Sequence, residues 1–252
     1  MNNIEIKVLN PDVIKESEKM MICSARLTQS GHKIKNMQDF IDLYNKSYTE
    51  KTSEIMVNLP HPTIQKFGVI NIAIVGASRR FLAQITRHQN EIKFMSASLQ
   101  YSNYSNEADF VIPYEIINDE QKKQEYLNSC KQSMQDYEKL VKAGINHDDA
   151  AYCMPQGLRN ILIMSATPYE FKHIISQRVC RRNTKETRYV MLLIWKELYK
   201  LNPIFFGNCG PFCMLGPCKE GKFACGNPIE KGTTPEEILK TDFKDCYEKS
   251  KN

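Results

Sequence analysis

Residues 84–101 read QITRHQNEIKFMSASLQY, and the fold is argued outward from them. The stretch opens as the end of a helix and carries Arg87 and His88 side by side. It then runs into a Ser-, Tyr- and Asn-rich segment with no reason to pack as a core. On a helix Gln84 and Arg87 share a face. That face projects amide and guanidinium donors toward a loop rich in hydroxyls. Such a surface suits an anionic, hydrogen-bonding small molecule; an ordinary solvated helix end is the alternative.

The elements around it follow from periodicity. From Phe67 to Val75 the chain alternates, with Ile70, Ile72 and Ile74 on one side and Val69, Asn71, Ala73 and Val75 on the other, which predicts a strand. Ser78 caps the next helix, where Phe81, Ile85 and His88 fall at helical spacing. Upstream, residues 4–9 predict a short strand, Asn10-Pro11 a cap and first-turn proline for a helix to about Arg26, and residues 36–47 a second helix. Downstream, Asp119 to Ala143 predicts a long polar helix, ended by Gly144, with Tyr126, Cys130, Met134, Tyr137 and Val141 inward.

Thr167-Pro168-Tyr169-Glu170 reads as a capping box opening a helix that continues past Leu192. On one continuous helix Phe171, Tyr189 and Leu192 all lie within about 40° of Arg178. Arg178 therefore sits in an apolar stripe and needs an anionic or strongly accepting partner. A ligand and a structural ion pair, for example with Glu186 or another subunit, both answer that need. After Pro203 the Gly, Pro and Cys density predicts a compact loop module without regular elements, followed by one helix from Pro235 to about Tyr247.

Composition narrows the class. The chain has 252 residues, 42% hydrophobic and 25% charged, with a formal charge of +5 spread along its length. That is a globular protein, mildly suited to an anion and not marked as a nucleic-acid binder. No apolar run approaches a membrane span and MNNIEIKVLN is no signal peptide, so a cytoplasmic location is expected. GxGxxG, P-loop and HExxH patterns are absent, and no cysteine stands beside a histidine as a nucleophile. Four of the nine cysteines, Cys209, Cys213, Cys218 and Cys225, crowd together. Such crowding suggests metal before disulfide, yet the spacings are not those of paired CxxC knuckles, and no metal is assigned.

Taken in order, the motifs resemble the flavin-dependent thymidylate synthase (ThyX) family. Arg87-His88-Gln89 and Ser98-Leu99-Gln100-Tyr101 resemble its Arg-His-Arg and Ser-x-Arg-Tyr. Ser24-Ala25-Arg26-Leu27, His61-Pro62-Thr63, Met154-Pro155 and residues 178–188 (RVCRRNTKETR) resemble four further segments. Gly210 to Gly226 resembles a C-terminal extension of clostridial-type members. Where the family has arginines this chain has Gln89, Gln100 and Ala151, and its Glu-His is Lys66-Phe67.

The resemblance implies an α/β (α+β) fold, a mixed sheet flanked by long helices, with residues 1–206 catalytic and the Cys-rich 207–252 packed on them. It implies a homotetramer with sites between subunits, taking FAD, NADPH as reductant and methylenetetrahydrofolate as carbon donor to convert dUMP to dTMP. Arg178 is the implied catalytic residue. Gln84, Arg87, Ser96, Ser98, Gln100, Tyr101 and Arg178 are implied nucleotide contacts. Thr63, Arg87, His88, Gln89, Thr167, His173 and Arg182 are implied flavin contacts. The replaced arginines leave open dCMP as substrate, hydroxymethylation as reaction, or an inactive nucleotide-binding homologue.

Overall fold

The alternation around residue 72 is realised as a strand whose Ile70, Ile72 and Ile74 are fully buried. The computed structural model describes residues 1, 3–105 and 108–247. Its strands are β1 (Glu5–Val8), β2 (Ile70–Ser78), β3 (Ile92–Ser96) and β4 (Arg159–Ala166), ordered β1-β2-β4-β3. Around them lie α1 (Asp12–Ser30), α2 (Met37–Asn45), α3 (Glu50–Val57), α4 (Arg79–Ile85), α5 (Glu120–Lys142), α6 (His147–Ala150), α7 (Pro168–Arg178) and α8 (Lys185–Leu201). The short helices α9 (Pro203–Gly207), α10 (Phe212–Leu215), α11 (Pro235–Asp242) and α12 (Lys244–Tyr247) follow. Among the described residues no helix is long and apolar enough to cross a membrane.

The α/β character stands, but the sheet expected to be mixed is antiparallel at every pairing. The reason is that β4 inserts between β2 and β3, which run the same way and never meet. One face of the sheet packs on α8, whose residues from Thr187 to Trp195 are all buried, as a helix apolar on nearly every side must be. A smaller core of Phe110, Met134, Tyr137 and Leu158 lies under the otherwise polar α5.

Several local expectations change. Pro11 caps α1 from outside, and that helix runs on to Ser30. The helix after Ser78 stops at Ile85, so His88 lies in the turn beyond it. The hydroxyl-rich segment supplies an edge strand, β3. The single helix expected from Thr167 is two, broken over residues 179–184, where Asn183 and Thr184 start a new helix instead of continuing the old one. Thr167 accepts from the Glu170 amide, but the box is only half made, since the Glu170 side chain does not reach back to the Thr167 amide; the Thr167 hydroxyl itself donates to Glu91. The Cys-rich stretch contains the short helices α9 and α10, and the last helix is broken at Phe243.

Two devices aim the elements that matter. At Gly76 a bulge shifts the β2–β4 register; its φ of 87° and the 2.5 Å left between an added Cβ and both Arg159 Nη1 and the Asn3 carbonyl admit only glycine. The bulge delivers Ser78 directly to the start of α4, where its Oγ accepts from the Phe81 amide and donates to Glu186 at 2.6 Å. At the other end of the chain, Asp242 at the close of α11 accepts from Arg181 Nε and Nη2, at 2.9 and 3.0 Å, and pairs with the buried Arg188.

Burial alone would push the Asp242 carboxyl up, yet the hydrogen bonds from Arg181 and Arg188 outweigh it and hold its pKa at about 2. A carboxylate depressed on folding stabilises above its unfolded pKa of 3.8 and loses that contribution as pH falls toward 2. Asp242→Ala leaves Arg188 charged and buried without its partner. We expect a loss of about 3–5 kcal/mol in urea denaturation at neutral pH, with the difference from wild type shrinking below pH 4. Equal stabilities at neutral pH would exclude the clamp.

Candidate active site

The end of α4 and the end of α7 meet through Arg178. Its Nε donates to His88 Nε2 at 2.8 Å and its Nη2 to the Gln84 carbonyl at 3.1 Å. The Gln84 side chain is held from α8, its Oε1 accepting from Thr184 at 2.8 Å and Thr187 at 2.7 Å. The partners that satisfy Arg178 are thus neutral acceptors. Glu186, the ion-pair alternative, is engaged instead by the Ser78 amide and hydroxyl. Arg178 Nη1 reaches Asn183 Oδ1 only at 3.5 Å, the limit of a hydrogen bond, which leaves that nitrogen to serve a ligand.

His88 must accept at Nε2 from the guanidinium, so its proton sits on Nδ1 and the ring is neutral. Burial, then the charges of Arg178 and His173, lower its pKa to about 4. Burial and the nearby charge of Arg87 also disfavour the protonated form of Arg178. Neither Arg87 nor Arg178 makes an ion pair among the described residues. Two neighbouring cations without a carboxylate between them form an unfinished electrostatic arrangement, which an anion completes.

They face a cavity of about 910 Å³ lined also by His88, Arg182, Asn183 and residues of the 212–229 segment. That volume is within the range of small-molecule and cofactor sites. Of the sequence-predicted residues, Arg87, His88, Arg178 and Arg182 line it, with Gln84 hydrogen-bonded behind. Ser96 lines a second cavity of about 590 Å³ with Arg79, Ala151 and Tyr152. Ser98 organises a turn, its Oγ accepting from the Gln100 and Tyr101 amides at 3.1 and 3.4 Å, and both of those side chains are exposed. Thr63 and Gln89 are exposed and line neither cavity. His173 is exposed and bonds Gln177 one turn on, and Thr167 is tied to Glu91.

One chain therefore gathers only part of the predicted set: Arg87, His88, Arg178 and Arg182 line the main cavity, Ser96 the second, and the others line neither. Asn183 and Lys219 were missed by sequence reasoning. The pair Asn183-Thr184 ahead of an apolar run is a helix-start signal that identifies the break; nothing local marks Lys219. Among the described residues no group of three or more Cys, His, Asp or Glu side chains is arranged to hold a metal.

The family model described as thymidylate synthase complementing protein matches residues 11–204. The chain belongs to this family. A flavin-dependent thymidylate synthase of Thermococcus onnurineus (strain NA1) is 30% identical over 170 residues, 64% of this chain and 69% of that protein. One from Clostridium tetani is 23% identical over 245 residues, spanning 90% of this chain and 95% of its own length. The match to the Clostridium tetani family member thus reaches past residue 206 into the Cys-rich extension. Among solved structures, a UMP/dUMP methylase, PolB, from Streptomyces cacaoi bound with 5-Br dUMP has a TM-score of 0.66 at 14% identity, covering 81% of this chain and 94% of that one. That likeness establishes the fold.

A histidine depressed on folding costs stability below its unfolded pKa of 6.5, progressively until the folded pKa near 4. In ligand-free protein the His88 ring is expected to stay neutral from pH 8 to pH 5 by NMR. In His88→Gln, which keeps an acceptor for Arg178 but cannot titrate, stability should fall less steeply between pH 6.5 and 4. An imidazole titrating near 6.5 contradicts the tautomer assigned here.

Proposed function

We propose that this chain is a flavin-dependent thymidylate synthase, converting dUMP to dTMP with methylenetetrahydrofolate as carbon donor, FAD as cofactor and NADPH as reductant. The observation that carries the reading is the pair Arg87 and Arg178, two guanidiniums facing one cavity without a carboxylate partner among the described residues. The donor set fits both ligands, since uracil offers carbonyl acceptors and FAD and dUMP carry phosphate.

Bound flavin supplies the hydride that completes the methyl group. The protein's own part is electrostatic. With Nε and Nη2 fixed by His88 and the Gln84 carbonyl, Arg178 presents Nη1 in a set direction toward the pyrimidine. A donor already oriented costs no reorganisation when negative charge grows on the ring. The neutral His88 fixes the guanidinium without cancelling its charge, which a carboxylate in that place would do.

Arg178 is the catalytic residue in this reading. Gln84, Arg87, Ser96, Ser98, Gln100 and Tyr101 face the nucleotide, and Thr63, Arg87, His88, Gln89, Thr167, His173 and Arg182 face the flavin. Residues 1–206 form the catalytic part, 207–252 an extension seated on it, and the enzyme is cytoplasmic. The separation of Ser96 from Arg178 supports sites completed by a second subunit. The outer face of the sheet supports assembly as well. Val75, Met95, Ile161 and Ile163 are 42%, 72%, 54% and 40% exposed, and register places Val75 beside Ile161 and Met95 beside Ile163. A contiguous apolar patch of this kind marks an interface. We assign it to a homotetramer.

Purified protein supplied with FAD should show flavin absorbance and turn over dUMP but not dCMP. Arg178→Ala should keep the flavin and lose about 10²- to 10³-fold in kcat/KM. No flavin bound, even with FAD added, would sink the reading. In sedimentation, Ile161→Lys should shift the tetramer to smaller species and reduce activity with it; an unchanged tetramer moves the interface elsewhere.

A further inference from the structure

The main cavity is closed on one side by the Cys-rich segment. Cys213, Cys218, Lys219, Glu220 and Cys225 line it together with Arg178. The segment is fastened to the turn between α7 and α8, the turn that directly follows Arg178. Arg181 Nη1 donates to the Asn227 carbonyl at 2.8 Å, and Arg182 Nη1 donates to the Phe223 carbonyl. Consecutive arginines thus hold two points of one segment, and the Asp242 clamp holds the first of them from behind.

The lining carries five cations, Arg87, Arg178, Arg181, Arg182 and Lys219, against one carboxylate, Glu220. Arg181 is neutralised by Asp242. Arg182 spends one nitrogen on a backbone carbonyl, and Lys219 lies over the Phe212 ring with its Nζ 4.3 Å from the centroid. Both side chains belong to exposed residues and make no ion pair among the described residues. Arg159, by contrast, is committed to Asp109 at 2.7 Å and to the Asn3 carbonyl at 2.9 Å and does not replace the missing arginines.

Resting on the functional reading above, we infer that the 212–229 segment is a wall of the ligand site and that Lys219 and Arg182 recognise a phosphate group of the bound ligand. The shared chemistry is phosphate, carried by a nucleoside monophosphate or by the diphosphate of FAD. The segment itself supplies Lys219 to the lining and positions Arg182 through Phe223.

Titrating wild type, Lys219→Met and the Lys219→Met/Arg182→Met pair with FAD, dUMP and deoxyuridine tests this. The double variant should bind one phosphate ligand about tenfold more weakly and deoxyuridine as wild type does. The ligand affected identifies the source of the phosphate. Lys219→Met, which breaks no anchor, should show the same selectivity at smaller size. Independently, saturating FAD and dUMP should slow alkylation of the exposed Cys218 and Cys225 at least about fivefold by occupancy. Wild type that binds a ligand while both variants bind it unchanged, or with Cys218 and Cys225 unprotected, overturns this inference alone. Wild type that binds neither FAD nor dUMP overturns the functional reading and this one together.

Discussion

The active region depends on a cation held by neutral acceptors. Arg178 joins the end of α4 to the end of α7 through His88 and the Gln84 carbonyl, and those bonds keep its full charge directed into the cavity. A carboxylate in the same place would hold the side chain more tightly and remove its field. Burial and the neighbouring Arg87 make the charged state costly, so the arrangement stores an attraction for anions. The supporting contacts follow from that requirement. Thr184 and Thr187 fix Gln84, and the bulge at Gly76 with the cap at Ser78 sets where α4 begins.

How far this could be read from sequence depended on whether one face or two was apolar. β2 was legible because Ile70, Ile72 and Ile74 alternate with less apolar neighbours. β4 was not, because NILIM at 160–164 is apolar on both faces: Leu162 and Met164 enter the core while Ile161 and Ile163 face outward. Alternation disappears when the outer face also needs cover. The same residues that hid the strand support an interface. β3 was hidden for the opposite reason, being a short, half-buried edge strand in a polar stretch.

In the site, adjacency in sequence was a good guide to identity and a poor one to use. Arg87, His88 and Arg178 line one cavity, and Arg178 is half-buried and bonded to His88. The reason inferred for Arg178 was wrong in detail, since it assumed one helix through Leu192. Which arginine remains for a ligand is a tertiary fact. Asp242, more than fifty residues downstream, takes Arg181 and Arg188, and no local pattern in RVCRRNTKETR reveals that. Lys219 enters only because the Cys-rich segment folds back over the cavity.

The break between α7 and α8 then has a physical role beyond topology. On an uninterrupted helix Arg178, Arg181 and Arg182 would stand at i, i+3 and i+4, on one face, with three guanidiniums converging. Like charges so placed repel, and one carboxylate does not neutralise three of them. Interrupting the helix after Arg178 fans them apart: Arg178 toward His88, Arg181 toward Asp242 and Asn227, Arg182 toward Phe223. Each finds a separate acceptor, and the two that line the cavity without an ion pair approach it from different directions. A site that must grip an anion at more than one point needs cations separated in this way, and a straight helix cannot provide it.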